Sequence, residues 1–247
     1  MSMELSIQRD GKYFRIFSNG TYWGSVYQDR NPYHAGNIYL HYTLEPGASL
    51  SPDFGRDLFR RIHQELDQPL QILLGSGKTD ISTFLEAGGF QRVRRTYCME
   101  VWPECIDFPM REAVELLEIG MDSPIYAQCT KLLYRQYADK HAAINPLTAD
   151  FATFCTVLPE KVFCQEENGQ IVHFAFVDEN EIAYVGSTVP ADFTEFAASL
   201  VASLFREYED LYFEADDCDA EAMTLRTLFA DSETNIFDTY IRQKHRT

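Results

Sequence analysis

The feature that most constrains this chain is an internal repeat. Two series of elements run in the same order at a near-constant offset: Phe54 and Phe196, like Leu58 and Leu200, are 142 positions apart, and Tyr97 and Tyr240 are 143 apart. A period this long, seen twice, makes two related domains or half-domains rather than a solenoid, whose repeats run about 20–50 residues. The first series opens with alternating apolar and polar residues over 4–42, broken at Asp10-Gly11, Asn19-Gly20 and Ala35-Gly36-Asn37, which reads as a meander of short strands. Ser51-Pro52-Asp53 supplies a cap, a first-turn proline and an acid. A helix is therefore expected over 53–66, with Phe54, Leu58, Ile62 and Leu66 on its buried face. A strand over 70–74, a short helix over 80–86 stopped by Gly88-Gly89, and a strand over 90–101 complete the series.

Helices are then expected over 111–118, 123–139 and 147–157, followed by strands over 161–166, 171–177 and 181–187. The earlier order returns as a helix over 194–208, a strand over 210–214, a helix over 219–229 and a strand over 236–242. The expected division is a domain over 1–104, a connector over 105–117 and a second domain over 118–247. With 18 Phe and 14 Tyr in 247 residues, the chain has enough apolar surface to build both.

Charge narrows the function classes. The net charge is −17, and it is uneven: 11 basic and 12 acidic residues lie up to Cys105, against 10 and 26 after it. A nucleic-acid partner needs the opposite sign, whereas an acidic second half attracts cationic small molecules or basic peptides. No run approaches the roughly 18 apolar residues of a membrane span, and Met1–Gly11 carries no signal-like segment, so a soluble cytoplasmic protein with no membrane partner is expected. The six cysteines form no CxxC pair and no zinc spacing, which predicts reduced, mostly core thiols and no metal. Gly75-Ser-Gly-Lys-Thr79 ends like a P-loop, but the required first glycine is Ile72, so it reads as a tight strand-to-helix turn. No G-x-S-x-G elbow supports a hydrolase.

The element order, with Phe84-Leu-Glu-Ala-Gly-Gly-Phe90 and Arg94-Arg-Thr-Tyr-Cys-Met-Glu100, resembles the Gcn5-related N-acetyltransferase (GNAT) family, and Ala222–Phe229 with Asp238–Arg242 stand in the same places of the second repeat. The resemblance implies an α/β (α+β) protein of two GNAT-like domains, each a mixed, mostly antiparallel sheet flanked by helices, with acetyl-CoA as co-substrate. In the family a glycine-rich loop at a helix N-terminus holds the coenzyme pyrophosphate on backbone N–H groups. Its matching stretches here are Ser51–Leu58, which keeps Gly55, and Phe193–Leu200, with Ala197 at the small position. Both depart from the pattern by placing an acid, Asp53 or Glu195, at the first glycine position. The family's two acceptor-side helices match 123–139 and 147–157, so the acceptor pocket belongs to the second half, while the first has only turns there.

The resemblance thus implies Phe54, Gly55, Arg56 and Asp57 in one half, and Val185, Ser187, Val189 and Ala197 in the other, as cofactor-binding positions. The family's tyrosine acid falls on Leu85 and Arg226, neither of which can serve. The base candidates are Glu181 and Glu45, and the acid candidates are Tyr184 and Tyr212. The expected activity is acetyl transfer to an amine of a small cationic molecule or a peptide. The alternative is a non-catalytic GNAT-fold binding or regulatory module with degenerate coenzyme loops.

Overall fold

A computed structural model describes residues 4–108, 114–230 and 235–244. The first repeat runs β1 (Leu5–Asp10), β2 (Tyr13–Ser18), β3 (Thr21–Asp29), β4 (Ile38–Leu44), α1 (Pro52–Leu66), β5 (Leu70–Gly75), α2 (Thr79–Ala87) and β6 (Gln91–Val101). The second runs β7 (Leu117–Gly120), α3 (Pro124–His141), α4 (Phe151–Cys155), β8 (Lys161–Glu167), β9 (Gln170–Asp178), β10 (Glu181–Ser187), α5 (Phe193–Leu204), β11 (Leu211–Asp216), α6 (Ala220–Arg226) and β12 (Asn235–Arg242). In each repeat an Asn-Gly pair, Asn19-Gly20 and Asn168-Gly169, turns a hairpin with both residues at positive φ, the geometry that a two-residue turn of right-handed twist demands.

The chain forms two compact units, and they are not the contiguous halves expected from the repeat. The first comprises Met1–Arg94, Ala143–Thr148 and Phe237–Thr247; the second comprises Arg95–Ala142 and Ala149–Ile236. In the first unit the strand order is β1-β2-β3-β4-β5-β12, and in the second β7-β8-β9-β10-β11-β6. Each sheet is five successive strands closed by the strand that ends the other repeat. The boundary at 104–118 follows sequence similarity, whereas the units follow strand pairing: Phe237–Arg242 pair with Leu70–Gly75, and Thr96–Val101 with Leu211–Asp216.

In the first unit α1 and α2 cover one face of the sheet over a core that includes Phe14, Trp23, Leu58, Ile62, Phe84 and Tyr240. Ser51 caps α1 by accepting the Phe54 N–H, as its sequence position predicts. β1 and β2 are joined by a two-residue turn, while α3 and α4 lie between β7 and β8, so two helices follow the first strand in the second repeat alone. The segment 143–148 belongs to the first unit: His34 Nδ1 bonds the Asn145 carbonyl at 2.7 Å, and Thr148 N–H donates to the Tyr33 carbonyl at 2.8 Å. That docking, with Asp150 capping α4 through the Thr153 N–H, shortens the helix expected over 147–157 to five residues.

In the second unit residues alternate between two helical layers. Ala175, Val177, Ile182, Leu211, Phe213 and Ala215 face α5 and α6, while Phe176 and Cys164 face Tyr126 and Cys129 of α3. Of the helix expected over 111–118, residues 111–113 lie outside the described residues, and its end is strand β7, paired with β8. Of the six cysteines, Cys129 and Cys164 alone are buried and Cys218 is exposed, so the expectation of mostly core thiols fails.

Candidate active site

Each unit contains one parallel strand pair, and in each the pairing lasts two residues before the strands part. In the first unit Ile38 and Tyr39 pair with Leu70 and Gln71; in the second Glu181 and Ile182 pair with Tyr212 and Phe213. In β10 the register against β9 also shifts at Ala183, a bulge that re-aims the strand as it leaves β11. Such a gap exposes strand backbone that a linear ligand can bond.

In the first unit the space between the end of β4 and the helices α1 and α2 is packed with side chains. The space lined by Trp23, Tyr42, Leu44, Leu58, Phe59 and Phe84 is about 10 Å³, room for one water at most. Phe54, expected to contact cofactor, is buried with its ring 5.1 Å from that of Trp23. Gly55 serves helix packing rather than phosphate approach: a Cβ there would lie 2.7 Å from the Phe84 carbonyl oxygen and 2.9 Å from its ring. Arg56 pairs with Asp53 at 2.8 Å, and Asp57 bonds both Arg60 and Arg61. Burial pushes the Asp57 carboxyl up, but the two guanidinium groups outweigh it and hold it below the usual range. Glu45 is exposed in the turn after β4. Of these candidates Arg56 lines a cleft together with Arg60, His63 and Arg242, whereas Phe54, Gly55, Asp57 and Glu45 are not among its lining residues.

The second unit keeps more of the expected arrangement. Glu181 is brought beside Tyr212 by register, and both share a sheet face with Glu214, opposite the face buried by Phe213 and Ala215. Tyr212 Oη donates to Glu214 Oε1 at 3.3 Å, and the Cys98 thiol reaches the same oxygen at 3.7 Å. Burial, then the charges of Asp178 and Glu214, raise the Glu181 pKa above the usual carboxylate value. Burial and Glu214 push Tyr212 up, so it holds its proton. Tyr184 lies past the bulge, its ring 6.1 Å from Tyr137 and 6.4 Å from Phe154, on the side of α3 and α4. Val185 and Ala197 pack in the core with α5 and α6, and Val189 is exposed. Ser187 is buried; its Oγ lies 2.9 Å from His173 Nδ1 and accepts the Val189 N–H at 2.9 Å. Burial lowers the His173 pKa and keeps the ring neutral.

Two side chains that the sequence did not single out shape this gap. Gln136 of α3 donates to the Ser187 carbonyl at 2.8 Å, a backbone group of β10 that a ligand in the gap would seek. Lys140, one turn further on, reaches Asp219 at 2.8 Å and Glu221 at 2.9 Å at the start of α6. Burial pulls its pKa down, but the two carboxylates more than offset this and raise it. Since α3 and α6 lie on opposite faces of the sheet, the triad joins the two layers near the end where β10 and β11 part. Only the i, i+4 spacing of Gln136 and Lys140 hinted at a shared helix face. At the start of α5 no side chain caps the helix, in contrast to α1; a 3-10 turn over Pro190–Asp192 leads into it, and the Phe193 N–H donates to the Pro190 carbonyl.

For acetyl-CoA the fit divides accordingly. The parted strands, the bulge and the uncapped α5 suit a pantetheine arm and a pyrophosphate, while Gln136 and Lys140 occupy the gap and would have to yield. Among the described residues no group of three His, Cys, Asp or Glu could hold a metal, and no helix is long and apolar enough to cross a membrane.

No protein-family model and no curated protein matches the chain by sequence. Solved structures do match. A GCN5-related N-acetyltransferase from Sphaerobacter thermophilus superimposes with a TM-score of 0.59 at 11% identity, over 95% of this chain and 81% of that one. A tandem GNAT protein from the clavulanic acid biosynthesis pathway gives 0.48 at 11% identity over 95% and 83%. An acetyltransferase of the GNAT family from Colwellia psychrerythraea gives 0.47 at 11% over 92% and 84%. The chain has the GNAT fold. At 11% identity the first likeness establishes that fold and nothing of the chemistry.

Proposed function

We propose that the chain is an acetyl-CoA-dependent N-acetyltransferase whose second unit carries the reaction. The observation that carries this reading is the gap between β10 and β11, opened by a bulge at Ala183 and leading to the uncapped start of α5. Glu181 is the base: its raised pKa moves it toward neutrality, where a carboxylate takes a proton from an ammonium more readily. The freed amine attacks the thioester carbonyl, the new C–N bond forms, and the C–S bond breaks to release the thiolate. Tyr184, on the acceptor side of the gap, or Tyr212 supplies the proton to sulfur. The acceptor is an amine on a small cationic molecule or a peptide, because Asp178, Glu181, Glu214 and Asp216 give that end of the sheet a negative field.

A second reading, a GNAT-fold module that binds or regulates without catalysis, is favoured by the Lys140 triad and by Gln136 on the Ser187 carbonyl. Titration with acetyl-CoA separates them. On the first reading the protein binds acetyl-CoA saturably, Glu195→Gln tightens binding a few-fold by removing a charge from the α5 start, and Glu181→Gln lowers turnover with polyamines or basic peptides at unchanged affinity. Absence of binding at millimolar acetyl-CoA, or turnover indifferent to Glu181→Gln, refutes it.

A further inference from the structure

The first unit contains a basic pocket remote from its strand gap. It is a cleft of about 500 Å³ between α1, the turn after α2 and the end of β12. Arg56, Arg60 and His63 line it from α1, Gly88-Gly89 from the turn, and Arg242 from β12; among the described residues no acid lines it, in a chain with 38 acidic and 21 basic residues. Eight residues separate Pro52 from Arg60, so at 1.5 Å rise per residue the pocket centre lies roughly 12 Å down the helix from its N-terminus. It is therefore not the helix-start position at which the fold would hold a pyrophosphate.

Arg242 makes the case. It stands on the same strand face as Tyr240, under the helices, and is only 8% exposed. Among the described residues its guanidinium donates to the Gly88 carbonyl at the end of α2, and its Nε is buried with no partner. One carbonyl dipole satisfies part of a guanidinium with five N–H donors, and among the described residues no carboxylate pairs with the charge. The nearest ionic neighbour aggravates the cost: burial, then the charge of Arg60, lowers the Arg242 pKa. On α1, Asp53 and Asp57 are already engaged by Arg56, Arg60 and Arg61, so both carboxylates nearest the pocket on that helix have partners. Gly89, at φ +85°, leaves open the space over the Arg242 guanidinium; a Cβ there would stand 3.6 Å from its Cζ.

We propose that this pocket binds a small phosphate-bearing anion, a phosphate monoester or inorganic phosphate, between Arg242 and the Arg56–Arg60 edge of α1. Phosphate brings negative charge to a pocket lined by three guanidinium groups and no acid among the described residues, and its oxygens suit guanidinium forks. The volume falls in the range of small-molecule sites, so the pocket has room for an organic group beyond the phosphate. The site is independent of the acyltransferase reading.

The test is calorimetric titration of the full chain with inorganic phosphate at constant ionic strength, with chloride as the matched control. Wild type should bind one phosphate saturably, and Arg60→Gln and Arg242→Lys should each weaken binding by roughly tenfold or more, the loss of one charge-assisted contact. Arg60 is exposed, so Arg60→Gln keeps the test valid if Arg242→Lys fails to fold. Saturating acetyl-CoA should leave the phosphate isotherm in place. Heat that chloride reproduces, affinity unchanged in Arg60→Gln, or phosphate binding abolished by acetyl-CoA would each overturn a separate phosphate pocket.

Discussion

Lys140→Met is the most informative single change in the second unit. The ammonium lies 2.8 Å from Asp219 and 2.9 Å from Glu221, and the three side chains are 20%, 22% and 10% exposed. Removing the cation leaves two carboxylates facing each other in a site with little water. Breaking a fully buried pair costs about 3–5 kcal/mol and an exposed one about 0–1, so this triad should lose about 2–3 kcal/mol. For a chain of this size that is a fall of roughly 4–12 °C in the melting midpoint. The loss belongs to the stranded carboxylates rather than to lost attraction, so Lys140→Met/Asp219→Asn/Glu221→Gln should recover most of it. The amide introduced by Asp219→Asn can still cap α6, as the Asp219 carboxylate does by accepting the Ala222 N–H at 3.1 Å. The folded pKa of Lys140 is raised, so its contribution is complete below the unfolded value near 10.5 and is lost only as pH rises through the higher folded value. Thermal unfolding by circular dichroism at pH 7 and pH 9 should therefore show the same deficit. A deficit under about 1 kcal/mol, or a triple variant no more stable than the single, would show that the triad is a solvated surface cluster.

Other expectations are simpler to state. Gly186→Ala should cost about 1–3 kcal/mol or more, because the added methyl group would collide with the Phe174 ring and with Gln136, which urea unfolding would register. His173 is held neutral by burial, so its contribution is present above the unfolded pKa near 6.5 and lost as pH falls below it; His173→Gln should flatten the stability profile between about pH 6.5 and 5. Asp150→Ala, which removes the cap on the Thr153 N–H, should cost about 1 kcal/mol and raise amide exchange in α4.

What the sequence revealed and what it hid divide along a physical line. Ser51-Pro52, the two Asn-Gly turns and the alternating strands act within a few residues, so they read correctly from one chain. The helix α3 was legible for the same reason: Ser123-Pro124 starts it as Ser51-Pro52 starts α1. The site was legible only as strand β10. Its neighbours come from positions whose separation no local pattern encodes: Lys140 meets Asp219 across 79 residues, and His173 meets Ser187 across a hairpin. Phe54 and Gly55 occupy family positions but have been absorbed into packing, and nothing short of the Trp23 and Phe84 rings reveals it. The register shift at Ala183 is likewise silent in sequence, since a bulge there preserves both apolar flanks.

The same distinction decides whether a half of the chain can stand alone. By sequence similarity residues 1–104 are a complete repeat and should fold. By strand pairing they are not. β5 would lose its partner along Leu70–Gly75, six register positions, and the core would lose Tyr240 and Ile241, which are 4% and 1% exposed. At about 1.5–3 kcal/mol per large buried side chain, these two residues alone are worth about 3–6 kcal/mol, a large part of a domain's typical 5–15. The bare edge of β5 would also invite pairing with other chains. A 1–104 fragment should therefore melt without cooperativity or aggregate, and a synthetic peptide of residues 235–244 added in excess should restore a cooperative transition. A fragment that melts as sharply as the full chain without the peptide would mean that the exchanged strands contribute little, and that each repeat carries its own closing strand in solution.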